Sequence, residues 1–104
     1  MNTENMIFRD FFLGFIKIHI LHHANKEPIY GMEFQKELKR HGYNVSFGTL
    51  YPIFHRLEKS GFLVSKNEKI EGKIRKYYLI TENGREVLEQ SKLRVKELCE
   101  ELDE

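Results

Sequence analysis

At 104 residues, 40% hydrophobic and 32% charged, the chain can bury one core but not two, so residues 1–104 read as a single domain. One cysteine, Cys99, excludes an internal disulfide framework, and the N-terminus lacks the basic, apolar and small-residue succession of a cleaved leader, which points to the cytoplasm. Net charge is +1, yet residues 1–81 carry 13 Lys and Arg against 8 Asp and Glu, whereas residues 82–104 carry 4 against 8; such polarity can steer a polyanion to one side of a nearly neutral molecule.

Residues 7–24, IFRDFFLGFIKIHILHHA, predict a helix that is apolar around most of its circumference and needs cover on more than one side. Arg9, Asp10, Lys17 and His19 interrupt it, and it falls short of the roughly 20 apolar residues of a membrane span, so no membrane is implied. Phe8, Phe11, Phe12 and Phe15 crowd into two turns; aromatic residues at helical spacing read as packing ahead of the walls of a ligand pocket. His19 and His23 form an i, i+4 pair with His22 beside them, but no Cys or carboxylate nearby completes a ligand set, so no metal is expected.

Lys26-Glu27-Pro28 ends this helix, and a second, amphipathic one follows from about Tyr30 to Arg40. Tyr30, Phe34 and Leu38 share one stripe, Glu33, Lys36, Glu37 and Arg40 lie outside it, and Gly42 is the stop.

The third helix lies in VSFGTLYPIFHRLEKSG, Val45 to Gly61. Ser46 is an N-cap, with Val45 and Leu50 placed as a hydrophobic staple. At ~100° per residue, Leu50, Ile53, Phe54 and Leu57 form a core face, while Gly48, Pro52, His55 and Lys59 lie opposite, flanked by Thr49, Tyr51 and Arg56. Pro52 poses a problem. If Ser46 is the cap, it removes the bond to the Gly48 carbonyl at up to ~3 kcal/mol; if Thr49 is the effective cap, it sits in the first turn at little cost. In either case the outward face begins smooth and ends basic, which suits a helix entering a DNA major groove, although a plain surface helix has the same composition.

FLVSK (62–66) and RKYYLI (75–80) are β-prone and predict a hairpin joined by a turn or longer loop containing Gly72. Lys69, Lys73, Arg75 and Lys76 outnumber Glu68 and Glu71 there, giving a wing suited to phosphates or a minor groove. Thr81 caps a last helix over residues 82–102, in which Leu88, Val95 and Leu102 recur every seven residues with Ser91 and Leu98 between. The spacing fits a helix packed on its own domain or a dimer seam. With the apolar surplus of the first helix it favours the dimer, and Cys99 then reads as a small interface hydrophobe.

The architecture is therefore α+β and mainly helical: a winged helix-turn-helix of three helices plus a β-hairpin wing over residues 7–80, with an added C-terminal dimerisation helix over 82–102. Phosphate loops, nucleophile elbows and paired carboxylates are absent from the sequence, so neither an enzyme nor a cofactor is expected. A homodimeric, sequence-specific DNA-binding regulator fits best; the alternative is a winged-helix protein–protein interaction module using the same outward face.

Several motifs match one family. Tyr30-Gly31-Met32-Glu33, then Ser46-Phe47-Gly48-Thr49-Leu50-Tyr51-Pro52 with Arg56-Leu57-Glu58 and Gly61, then Gly72-Lys73-Ile74-Arg75-Lys76-Tyr77-Tyr78 and Thr81-Glu82-Asn83-Gly84 resemble the PadR transcriptional regulators. The match runs over about residues 10–88, and Ile74 stands where the family often has proline. The resemblance implies a winged-helix domain binding double-stranded DNA and a dimer through the first and last helices. It further implies repression, often relieved by a small hydrophobic molecule at the dimer interface. By motif position it assigns Ser46, Gly48, Thr49, Tyr51 and Pro52 to the recognition helix and Lys73, Arg75 and Lys76 to the wing, and the single short last helix resembles the compact branch of the family.

Overall fold

All four predicted helices form, the first of them beginning at Thr3, ahead of its expected start at residue 7. The computed structural model describes residues 3–104, so residues 1 and 2 of the single-domain expectation lie outside the described residues. The order is α1 (Thr3–Lys26), β1 (Ile29–Tyr30), α2 (Gly31–Arg40), α3 (Phe47–Lys59), β2 (Leu63–Ile70), β3 (Lys73–Ile80) and α4 (Glu82–Leu102). Among the described residues no helix is long and apolar enough to cross a membrane.

One core joins every element. Ile16, Ile20 and Leu21 of α1, Phe34 and Leu38 of α2, Leu50, Ile53, Phe54 and Leu57 of α3, Leu63, Tyr78 and Ile80 of the hairpin and Leu88 of α4 are all buried, and among the described residues no charged or polar one is buried with them. Apolar burial of this kind is the main favourable contribution to folding.

The sheet is antiparallel with strand order β1-β3-β2. Its hairpin is longer and tighter than the sequence suggests: Ile70 pairs with Lys73, leaving the two-residue turn Glu71-Gly72, both at positive φ (50° and 78°). Two left-handed residues match the twist of the flanking strands. Tyr30 departs from its expected place on the α2 stripe. It is the extended residue before α2, with φ −105° and ψ 132°, and it pairs with Tyr77 of β3.

The packing of α4 divides it in two. Its first turns lie against the core, where Leu88 is buried, so the expectation that Leu88 faces a partner is corrected: its apolar surface is already covered within the subunit. Val95, Leu98, Cys99 and Leu102 further along are exposed. The start of α4 is fixed by Thr81, whose hydroxyl accepts from the Gly84 amide at 3.1 Å and donates to the Gly61 carbonyl at 2.6 Å. Gly84 is pressed onto that same junction, and a Cβ there would stand 2.2 Å from the Phe62 carbonyl oxygen and 2.7 Å from Ile80.

Because that obstacle is backbone, Gly84→Ala is expected to destabilise the protein by about 3 kcal/mol. Gly14→Ala in α1, where a Cβ meets nothing within 4 Å, is expected to be neutral or to stabilise by up to about 1 kcal/mol. Urea denaturation of the two variants measures both.

Candidate nucleic-acid interface

The starting point of α3 resolves the proline problem. Ser46 is extended, its Oγ accepts from the Thr49 amide at 3.3 Å, and its carbonyl accepts from the Leu50 amide at 3.1 Å. Ser46 is thus the N-cap and Pro52 the sixth helical residue, in the interior position. The Gly48 carbonyl left without its helical donor belongs to an exposed residue, so solvent can reach it and the loss is smaller than in a buried turn. At the other end Gly61, with φ 86°, turns the chain into β2 while the Gly61 and Phe62 amides bond to the Glu58 and Leu57 carbonyls at 3.0 Å each. This is a Schellman closure.

The core face of α3 holds Leu50, Ile53, Phe54 and Leu57, all buried. Ser46, Gly48, Thr49, Tyr51, Pro52, His55, Arg56 and Lys59 are all exposed. Phe47, Tyr51 and His55 follow one another at i, i+4 along the edge of that face; the Phe47 and Tyr51 rings are 5.9 Å apart, and Tyr51 and His55 are stacked at 6.2 Å with 13° between their planes.

Strand register divides the predicted wing cations. Residues on alternating positions of a strand face opposite ways. Lys76, paired with Asn67, and Lys69, paired with Ile74, fall on the side of Tyr78, which stacks on Phe54 of α3. Lys73, paired with Ile70, and Arg75, paired with Glu68, fall on the other. The Arg75 guanidinium lies 5.1 Å from the centre of the Tyr30 ring, a cation–π contact that holds it against β1. Lys76 instead lies 5.4 Å from the Tyr78 ring and 3.4 Å from the Glu58 carboxylate.

Glu58 joins three elements. From the last turn of α3 its carboxylate accepts from the Ser65 hydroxyl of β2 and pairs with Lys76 of β3. The Ser65 hydrogen bond holds its pKa below the ordinary 4.5, and Lys76 acts in the same direction. Neither this clamp nor the exposed Phe47 and Met32 was visible in the sequence reading; the RLE run in the motif was the available signal for Glu58.

In α1, His19 and His23 stack at 6.0 Å between centroids, with His41 6.4 Å from His19. Burial lowers the pKa of His19, His22 and His23 below 6.5, which favours neutral rings. Among the described residues no three His, Cys, Asp or Glu side chains are arranged to hold a metal.

Replacing Glu58 with Gln should remove the ion pair while keeping an acceptor for Ser65, at a cost below about 1 kcal/mol because the pair is partly exposed. The folded-state pKa is depressed, so the carboxylate contributes stability above 4.5 that is lost as pH falls through the folded value. Melting curves of wild type and Glu58→Gln should therefore differ at neutral pH and converge in acid.

With this geometry in view, comparison with known proteins is informative. Residues 20–90 match the family described as "Transcriptional regulator PadR-like family". The chain is 43% identical over 94 residues to Transcriptional regulator Rv3488 of Mycobacterium tuberculosis, covering 90% of this chain and 88% of that one. Among solved structures, a PadR family transcriptional regulator from Eggerthella lenta superposes with a TM-score of 0.81 at 32% identity, over 94% of this chain and 87% of that one. A PadR-like transcriptional regulator from Bacillus cereus gives 0.79 at 32%, over 86% and 89%. Regulators of this family are non-enzymatic. Motifs, winged-helix fold and comparisons agree, and the chain belongs to the PadR-like family of transcriptional regulators.

Proposed function

We propose that the chain works as a homodimeric repressor that reads a DNA sequence with α3 and grips the flanking backbone with its wing. One observation carries this reading: the N-cap Ser46 and seven outward residues of α3 are exposed on a helix whose opposite side is anchored in the core, and the hairpin sets a cation, Lys76, beside Tyr51. Ser46, Gly48, Thr49, Tyr51, Pro52, His55, Arg56 and Lys59 face the groove in this reading. Lys69, Lys73, Arg75 and Lys76 meet phosphates, with Lys73 and Arg75 on the outer side of the wing.

Two apolar surfaces support the dimer. Phe8 and Phe11 of α1, and Val95, Leu98 and Leu102 of α4, are exposed, and a patch of this extent on a small protein calls for cover. Phe12 and Phe15 are partly buried against Tyr43 and add the inner edge of the α1 surface; Cys99 adds to that of α4. A two-fold pairing of these helices places two copies of α3 on one side of the DNA, with half-sites about one turn (~34–36 Å) apart or a multiple of it. The cleft of about 490 Å³ between Ile18 of α1 and Val87, Ser91 and Val95 of α4 is where a small hydrophobic inducer would enter such an interface.

A gel shift over a salt series tests DNA binding. Affinity should fall steeply as salt rises, because phosphate contacts release counterions. Absence of sequence-preferring binding at low salt would favour the protein-docking alternative. Lys73→Ala and Arg75→Ala should weaken binding to all sequences and each reduce the salt slope by about 1, whereas Thr49→Ala and Tyr51→Ala should also change sequence preference. For the dimer, Leu98→Glu should give a monomer by light scattering with its melting temperature little changed, and should lose operator affinity.

A further inference from the structure

Beside α3 lies an apolar groove that the proposed function does not yet use. It has a volume of about 390 Å³ and is walled by Met32 of α2, Phe47 and Tyr51 of α3 and Tyr30 of β1, with Phe54 and Tyr78 beneath. Met32, Phe47 and Tyr51 are 51%, 44% and 47% exposed, so three large apolar side chains stand open to solvent where α2 meets the edge of α3 that continues to His55. The Phe47 ring is set against Gly31, where a Cβ would lie 2.9 Å from its Cε2; the absence of a side chain at Gly31 fixes where the ring rests.

The charge around the groove selects the partner. Lys76 is part of its lining, and Met32 and Gln35 are shared with an adjoining depression that includes Lys36 and Lys39. Among the described residues, neither lining contains a carboxylate. The depression on the opposite side of α2, by contrast, is of mixed charge, with Glu27, Glu33 and Glu37 beside Lys26 and Arg40. An apolar patch with Lys36 and Lys39 beside it, and Lys76, tied to Glu58, in its wall, complements a polyanion with an apolar feature between its charges. Duplex DNA has one in its major groove, the C5-methyl of thymine. A cytosine or guanine edge pressed onto the Met32 and Phe47 side chains would lose hydrogen bonds to water and gain none from those two residues.

We infer that the Met32–Phe47–Tyr51 groove reads thymine C5-methyl groups, giving the site its preference for T·A pairs at the positions it covers. The inference rests on the DNA-binding reading above and adds to it the base feature recognised.

The test begins by selecting binding duplexes from a random-sequence pool with the full chain. Each thymine of the selected site is then replaced singly by deoxyuridine, which removes only the methyl, and by 5-bromodeoxyuridine, which restores an apolar group of similar size. Affinity is read by fluorescence anisotropy at fixed salt. The expected result is a roughly fourfold loss at one or two thymines per half-site with deoxyuridine, the amount that burial of one methyl represents, and recovery with the bromo base. In Met32→Ser or Phe47→Ala, deoxyuridine and thymine should bind alike at those positions. Met32 is exposed enough that its substitution leaves the core intact, so a folding defect in Phe47→Ala does not block the test. Selective binding that tolerates deoxyuridine everywhere, a selected site without thymine, or a methyl effect unchanged in Met32→Ser, Phe47→Ala and Tyr51→Ala each overturns the inference and leaves the DNA reading standing. Failure to select any sequence overturns both.

Discussion

The structure depends on the packing of one ring. Phe54, fully buried in α3, meets Phe34 of α2 edge-on at 5.7 Å and 84°, and stacks on Tyr78 of β3 at 4.6 Å and 25°. Both are favourable aromatic arrangements, each adding about 0.5–1.5 kcal/mol beyond area burial. The same ring therefore sets the crossing of α2 and α3 and the distance of the hairpin from both. With three elements fixed by one side chain, the outward side of α3 has a defined height above the sheet, and the cations of β3 have a defined place relative to it.

Around this apolar contact, polar ties act at the element ends, where backbone groups need partners. Ser46 opens α3, Glu58 fastens its last turn to both wing strands, and Thr81 ties the start of α4 to the end of α3. Every tie is short in sequence reach or lies at a boundary, and none is buried away from solvent without a partner among the described residues. Such bonds add little net stability each, but they specify direction. Pro52 belongs to the same logic. A helix held at both ends and along its buried face tolerates one missing internal bond on the wet side, and the ring presents a smooth, donor-free surface there.

Local signals made most of this legible. The stripe Leu50, Ile53, Phe54 and Leu57, the caps Ser46 and Thr81 and the stops at Gly42 and Gly61 are written within a few residues of where they act. What escaped the sequence is what distant pairing decides. Strand β1 is two residues long and exists because Ile29 and Tyr30 find Tyr78 and Tyr77. The hairpin runs on through residues 67–70 and 73–74, where both faces are largely exposed and no alternation marks the strands. Register then splits cations that look like one cluster in the sequence. Leu88 keeps the seven-residue spacing of Val95 and Leu102 yet lies in the core, since that spacing recurs equally along a helix facing its own domain and one facing a partner. The exposure of Met32 and Phe47 is likewise a property of the assembled surface, since nothing in either residue type announces it.

The seat of α4 on Gly84 has a mechanical meaning. Twenty-one residues of helix make a rod of about 31 Å, clamped at one end by a backbone contact that leaves no room for a methyl group and free over its outer half. A rod held this way converts angle into distance: a tilt of 5° at the clamp moves the far end by about 3 Å, close to the rise of one base pair. In the proposed two-fold assembly built on that outer half, the tightness of a single glycine contact would become the tolerance on how far apart the two copies of α3 stand.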